Sequence, residues 1–385
     1  MNWQRDVFFF GGFDPRGPAR DHRLFADAVA RHPATDAGES VTMGPRERLA
    51  PHLDAWSVHW RQPDGTEVHT RHTVMRWDDI VRRVWPRHWR QAWADRLVVY
   101  GQAPRHGALA PIWRHARPAF WLAIFPLLLG LALGALWAGA AGLLTWASGT
   151  AWPWLAAVPA WLWSWRALEV TLDADWLLRL YGFTWHQARG DVPGLTQRLD
   201  ELADVLVARA EAADARELLV VGHSTGSQMA VSVVARALQK APWLGARGPS
   251  LALLTLGHCT PILAWVRQAG WFRGELARLT AHPHLTWHDV SAPADWAAFA
   301  RVPPWLHAPA QGAARLAQYS PRFHKTMGQA AYDELLAHRH ALHQQYLRPP
   351  RVAGGYDPVV WMAGPLTLAE RHAAMFGPPA PAENA

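Results

Sequence analysis

The sequence predicts an α/β fold: a mostly parallel sheet packed with helices, interrupted in its N-terminal half by two apolar helices. Three stretches carry that prediction. Residues 218–238 read as strand, tight turn and helix. Leu218–Val221 is a continuous apolar run, as in strands buried on both faces, and Met229, Val233 and Val234 recur at helical spacing up to Leu238. Leu251–Leu256 repeats the apolar strand one helix later, the spacing of a parallel neighbour joined by a crossover. Between Pro118 and Trp165, 48 residues pass without an Asp, Glu, Lys, Arg or His.

In chain order, Val7–Phe10 is a plausible buried strand that runs into Gly11-Gly12-Phe13. Residues 21–31 have a helical pattern. Residues 55–76 read as a β-hairpin, because Trp56, Val58 and Trp60 alternate and Pro63-Asp64-Gly65 supplies a turn. Asp78 opens a short helix bearing Ile80, Val81 and Val84, which Pro86 ends. Residues 119–144 form a first apolar helix with Gly130, Gly134, Ala138 and Gly142 on one small-residue face, suited to close helix packing. A turn at 147–150 leads to a second apolar pass from Ala151, shorter, rich in Trp and interrupted by Pro153 and Pro159. The run from Leu168 to Trp185 has no clear period. Leu195–Ala213 is an amphipathic helix with Leu199, Leu202, Val205 and Leu206 on one face, and Leu285–Val290 is a further strand. The resulting organisation is an N-terminal portion (1–117), a transmembrane helical hairpin (118–167) whose second pass either spans fully or acts as a lid, a C-terminal portion (168–376) and a Pro-rich tail (377–385) expected to be disordered.

Composition narrows the functional classes. The 385 residues are 50% hydrophobic with 25 Trp, and the net charge is +7. A single cysteine, Cys259, rules out an internal disulfide. No basic run with interleaved aromatics points to nucleic acid. Crossing a bilayer takes ~20 apolar residues, so the uncharged stretch is long enough for two passes. Arg105, Arg114 and Arg117 before it and Arg166 at its end place both flanks on the cytoplasmic side of an inner membrane, where the basic balance favours anionic lipid. MNWQRDVFFFGG has too short an apolar run for a secretory signal.

The chemistry lies in Gly222-His223-Ser224-Thr225-Gly226, a G-x-S-x-G set between strand and helix. A turn this tight requires glycines beside the serine, and it lifts the hydroxyl to a helix N-terminus that favours developing negative charge. These residues resemble the nucleophile elbow of the α/β-hydrolase superfamily, over roughly residues 5–100 and 170–350. That resemblance implies a doubly wound sheet with helices on both faces, whose first strands are antiparallel. It also implies a serine nucleophile followed in chain order by an acid and a histidine. Asp295 follows the Leu285–Val290 strand, where the acid belongs; Asp289, within the strand, is second. His343, in Ala341-Leu342-His343-Gln344-Gln345-Tyr346-Leu347, matches the histidine-and-aromatic stretch of class-three lipases. His324 is second, ahead of His307, His338 and His340. Gly11-Gly12-Phe13 stands where the superfamily often has His-Gly, which implies that the N–H groups of Phe13 and Thr225 form the oxyanion hole.

The implied activity is hydrolysis of a carboxylic, lipid-like ester through a Ser224–His343–Asp295 triad and an acyl-enzyme, with no cofactor and no metal. Small esters and membrane lipids are the expected partners. The same triad would serve a thioesterase or an acyltransferase, and a scaffold retaining the fold would carry none of this activity. Gly257-His258-Cys259-Thr260-Pro261 has the form of a second elbow but lacks the second glycine. Arg16 and Arg20 could meet a substrate anion, although solvated arginines are the simpler reading. The clusters His338/His340/His343 and His282/His284/His288/Asp289 have ligand-like density without a metalloprotease spacing.

Overall fold

A computed structural model describes residues 2–33, 38–85, 89–172, 174–307, 314–353 and 355–377. Of the tail expected to be disordered, residues 377–385, all but Gly377 lie outside them. The chain opens with β1 (Asn2–Phe10), α1 (Pro18–Ala30) and the strands β2 (Ser40–Met43), β3 (Glu47–Ala50), β4 (Leu53–Arg61) and β5 (Glu67–Met75). Seven helices follow: α2 (Asp78–Val84), α3 (Trp89–His106), α4 (Leu109–His115), α5 (Arg117–Ser148), α6 (Trp152–Thr171), α7 (Ala174–Arg189) and α8 (Leu195–Ala212). Then come β6 (Glu217–His223), α9 (Gly226–Lys240), β7 (Ser250–Leu256), α10 (Thr260–Ala264), α11 (Gly270–Ala281), β8 (Leu285–Val290) and β9 (Arg315–Tyr319). The C-terminal part packs α12 (Phe323–Thr326), α13 (Gln329–Ala337), α14 (Arg339–His343), α15 (Pro358–Ala363) and α16 (Leu368–Phe376).

All nine strands join one sheet in the order β2-β4-β5-β1-β6-β7-β8-β9, with β3 beside β4. From β5 to β9 neighbouring strands are parallel, and the antiparallel part is confined to β2, β3, β4 and the β4–β5 hairpin. Period-two alternation sends β1, β6 and β7 side chains to two separate cores. Phe8, Phe10, Leu218, Val220, Leu251 and Leu253 pack with residues of α8, α9 and α11. Val7, Phe9, Leu219, Val221, Ala252 and Leu254 meet α1, α15 and α16 instead. Both faces of the central strands are therefore covered by helices, which explains why these strands read as unbroken apolar runs.

A buried ion pair closes the base of the central strands. Arg5 Nε donates to Glu217 Oε2 at 2.6 Å, both side chains being fully buried. The remaining polar atoms are satisfied by the C-terminal segment: Arg5 donates to the carbonyls of Gly364 (2.8 Å) and Leu366 (2.6 Å), and Leu368 N donates to Glu217 Oε1 (2.6 Å). Such a pair is tolerated in an interior only when the leftover donors and acceptors are met, as here.

The long connection from β5 to β6 carries the apolar run. α5 extends from Arg117 to Ser148, beyond the 119–144 read from the sequence, and ends at Gly149 with φ 67°. α6 begins at Trp152, packs along α5 and continues to Thr171, so Leu168 lies in its last turn and the run to Trp185 falls largely in α7. A Cβ on Gly130 would overlap the Trp165 indole, and Trp161 Nε1 donates to the Gly130 carbonyl at 2.8 Å. Gly134 faces Trp161, and Trp137 Nε1 donates to Ser164 Oγ at 3.0 Å. The small-residue face works only at these first two positions: Ala138 is exposed, and nothing lies within 4 Å of a Cβ on Gly142.

The protein body takes up both ends of the apolar run. Ala119, Ala123 and Pro126 are buried at the foot of α5, and Trp165 and Glu169 at the end of α6, where Glu169 forms a buried ion pair with Arg96 of α3. Among the described residues one helix, α5, has the length and composition to cross a membrane, and 22% of its apolar window is buried inside the protein.

Candidate active site

β1, β6, β7 and β8 all end at one edge of the sheet, and the segments that follow them meet there. After β6 the chain turns so sharply into α9 that Ser224 adopts φ 56°, in the left-handed region that non-glycine residues avoid. The flanking glycines are sterically required. A Cβ on Gly222 would stand 2.6 Å from Gly226 O, and one on Gly226 would stand 2.6 Å from Gly11 O while overlapping the Phe10 carbonyl. Strain of about 1–3 kcal/mol is typical for such a backbone position, and it persists only where the surroundings hold it. Here Ser224 N donates to Leu256 O at 2.9 Å, tying the turn to the end of β7.

The end of β1 lies directly on the serine. A Cβ on Gly12 would sit 3.2 Å from Ser224 Cβ and 3.6 Å from its Oγ. Phe13 follows, its ring packed against Trp77, Trp85 and Phe183. Two indoles anchor the loop by its carbonyls: Trp77 Nε1 donates to Gly11 O at 3.0 Å and Trp176 Nε1 to Phe13 O at 3.2 Å. With those carbonyls turned outward to the indoles, the N–H of Phe13 has no protein acceptor among the described residues, and neither has that of Thr225 beside the α9 N-terminus. Unspent backbone donors around a serine hydroxyl are the raw material of an oxyanion hole.

His343, the last residue of α14, and Asp295, four residues past β8's continuation at Ser291, come together. Asp295 Oδ2 lies 2.7 Å from His343 Nδ1, and both side chains are buried. Nε2 of His343 is buried without a hydrogen-bond partner. Ser224, His343 and His223 line the same cavity of about 380 Å³. A ring whose Nδ1 is held by a carboxylate and whose Nε2 is uncommitted is arranged to accept a proton at Nε2.

Two positioning groups went unread in the sequence. Tyr346 Oη donates to Asp295 Oδ2 at 3.0 Å and accepts from Ala292 N at 2.9 Å, so one phenol fixes the acid and the loop that carries it. His223, inside the G-x-S-x-G set, donates from Nε2 to the His343 carbonyl at 2.9 Å and so ties the histidine's backbone to the elbow. Burial, reinforced by the nearby His343, holds the His223 pKa well below the usual histidine range, so the ring is neutral. Tyr346 lies three residues from His343 and His223 one residue from the serine; the pairing of each is visible only in three dimensions.

The other sequence candidates sit elsewhere. Asp289 stays within β8, where Thr255 Oγ1 (2.9 Å) and Ser291 Oγ (3.2 Å) donate to it, and His343 bonds Asp295 instead. His324 is exposed on α12 beside Tyr332. His307 packs its ring on Trp265, and His338 Nδ1 bonds the Glu334 carbonyl of its own helix. His340 lines the cavity beyond His343. Cys259 lies beside the elbow, Sγ 3.6 Å from Thr225 Oγ1, but burial pushes its thiol up to about 12, so it stays protonated at neutral pH. Arg16 and Arg20 line the cavity in ion pairs with Asp14, at 2.6 and 3.5 Å. Among the described residues no three His, Cys, Asp or Glu side chains converge as metal ligands.

Comparison with family models, curated proteins and solved structures returned no match to this chain.

Proposed function

We propose that the chain is a membrane-anchored serine hydrolase of the α/β-hydrolase type, cleaving lipid-like carboxylic esters. One observation carries the reading: a serine held at φ 56° on a strand–helix elbow shares a cavity with a buried His343–Asp295 pair. Ser224 Oγ attacks the ester carbonyl while His343 Nε2 takes its proton. Asp295, held by Tyr346, keeps Nδ1 protonated and stabilises the imidazolium. The N–H groups of Phe13 and Thr225 bind the developing oxyanion; each such donor is typically worth ~100–1,000-fold in rate. His343 then protonates the departing alcohol, and water resolves the acyl-enzyme by the same steps in reverse.

Membrane anchoring rests on the exposed surface of α5 and α6. Leu131, Leu136, Leu143, Leu155 and Trp163 are 60–80% exposed, an apolar face that water would not support at this size. Exposed Trp121 and Trp146 mark the two ends of α5, ~37 Å apart at 1.5 Å per residue, close to the spacing of the two interfaces of a bilayer. Arg114 and Arg117 stand at the foot, which favours seating the sheet domain on the cytoplasmic face of an inner membrane. α6 completes the hairpin.

The test is labelling by a short-chain fluorophosphonate in the membrane fraction. Wild type should be labelled and Ser224→Ala should not, with kcat on an ester lowered ~10⁴–10⁶-fold. Absence of labelling in a folded wild-type protein would overturn the assignment.

A further inference from the structure

The loop after β1 has its carbonyls met one after another. Trp77 Nε1 donates to Gly11 O at 3.0 Å, Asp14 N to Gly12 O at 2.8 Å and Trp176 Nε1 to Phe13 O at 3.2 Å. Arg82 Nη1 donates to Pro15 O at 2.8 Å. The bond from Asp14 N to Gly12 O closes a three-residue turn centred on Phe13. A peptide unit is planar, so holding its carbonyl also fixes the direction of its N–H. The unit that carries the Phe13 N–H is thus bracketed by two indole bonds, one on the unit before it and one on the unit after.

The two indoles come from different parts of the chain. Trp77 directly follows β5 in the sheet domain, whereas Trp176 stands in the first turn of α7, the helix by which the chain returns from the apolar hairpin. α7 turns one face towards Phe13. Trp176, Arg179 and Phe183 are spaced i, i+3 and i+7, along one side of a helix. Trp176 holds the Phe13 carbonyl, and the Phe183 ring lies 5.1 Å from the Phe13 ring. The Arg179 guanidinium lies 4.4 Å over Trp85, which stacks on Phe13 at 5.7 Å.

We propose that Trp176 is a positioning residue for the oxyanion hole. Its indole N–H, acting through the Phe13 carbonyl, keeps the Phe13 N–H turned towards the space beside Ser224. The segment inserted between β5 and β6 then serves turnover as well as anchoring. This rests on the serine-hydrolase reading and deepens it. Gly12 carries the loop onto the serine, a Cβ there lying 3.2 Å from Ser224 Cβ, so rotation of the next peptide unit redirects an N–H at the reacting centre. Hydrogen bonds weaken steeply when misdirected, and a misplacement of about 1 Å can cost ~100-fold in rate. The loss falls on the transition state, because the substrate oxygen gathers charge only as the tetrahedral intermediate forms.

The experiment uses purified full-length protein in detergent micelles with p-nitrophenyl butyrate. Trp176→Phe keeps a ring and removes the donor. It should lower kcat and kcat/KM together by about 10- to 100-fold. The acidic limb of the pH–rate profile should stay in place, since the His343–Asp295 pair is untouched. A trifluoromethyl ketone, whose carbonyl becomes an oxyanion on Ser224, should bind more weakly by the same factor. Phe183→Leu, on the same face of α7, should give a smaller loss with the same pattern. Trp271→Phe is the control: its indole also donates to an α7 carbonyl, Ala188 O at 3.0 Å, and its loss should leave kcat and ketone binding in place. Equal losses in Trp271→Phe and Trp176→Phe would assign the effect to general packing of α7 and overturn the proposal. Wild-type kcat in folded Trp176→Phe and Phe183→Leu, or a change confined to KM, would overturn it too. Each of those results leaves fluorophosphonate labelling of wild-type Ser224, and the hydrolase reading, standing. A folded wild type without that labelling would overturn both.

Discussion

The elbow helix α9 and the apolar helix α5 are both rich in small and aliphatic residues, yet they meet opposite surroundings. From Ser227 to Ala235 every α9 side chain is fully buried between the sheet and α8. Along α5, Leu143 is 69% and Trp146 85% exposed. Apolar composition alone therefore says that a helix avoids water, and the neighbouring elements say what it uses instead. The glycines differ in the same way. Gly222 and Gly226 are excluded from carrying a side chain by backbone carbonyls that cannot move, whereas Gly130 is shaped to a Trp ring and Gly142 to nothing.

The sharpest way to break that contrast is to add one methyl group to each region. Gly226→Ala should abolish fluorophosphonate labelling and much of the soluble fold, because its Cβ collides with the Phe10 and Gly11 carbonyls. Gly142→Ala should change stability by no more than about 1 kcal/mol, in line with helix propensity. Comparable damage at both sites, measured by labelling and thermal melting, would show that the two regions are equally packed.

Next in size is the ion pair under the sheet. Glu217→Leu leaves the buried Arg5 unpaired and should cost about 3–5 kcal/mol in denaturant unfolding. A loss below ~1 kcal/mol would mean that the C-terminal carbonyls alone satisfy the guanidinium. On the exposed region, Leu131→Arg should weaken membrane retention by about 2.5–3.5 kcal/mol, read as extraction by alkaline wash, while Ser224 still labels. An unchanged extraction profile would point to a protein partner rather than lipid on this face.

The last test concerns a carboxylate in the wall of the cavity that Ser224 lines. Burial raises the Asp21 carboxyl to about 7, far above its unfolded value of 3.8. The folded state then binds the extra proton between those values. Stability contributed by Asp21 is present below about pH 4 and is lost as pH rises through 7. Wild type should therefore lose up to ~1.4 kcal/mol per pH unit in that window relative to Asp21→Asn. Parallel pH–stability curves for the two proteins would remove this charge from the cavity.

Much of the site was legible because its parts are local or ordered along the chain. The strand, the G-x-S-x-G turn and the helix at 218–238 obey short-range rules, and a buried parallel strand shows itself as an unbroken apolar run. Asp295 and His343 were nameable from a resemblance in order and spacing, but their pairing at 2.7 Å is a matter of where β8 and α14 end in space. The clamp of Tyr346 on Asp295 and the tie from His223 to the His343 carbonyl had no sequence signal, since each joins residues 51 and 120 positions apart. β9 escaped notice because Arg315–Tyr319 is short and only partly apolar.

By itself, then, the sequence determined which segments avoid water, where the backbone must turn without side chains, and that a serine would stand at one such turn. Those are properties of single residues and their near neighbours. Only the tertiary structure decided that the foot of α5 belongs to the protein while its upper turns do not, and that the His343–Asp295 pair shares a cavity with Ser224. Both depend on which distant surfaces come into contact, and burial at a given residue is set by those contacts, not by its own hydrophobicity.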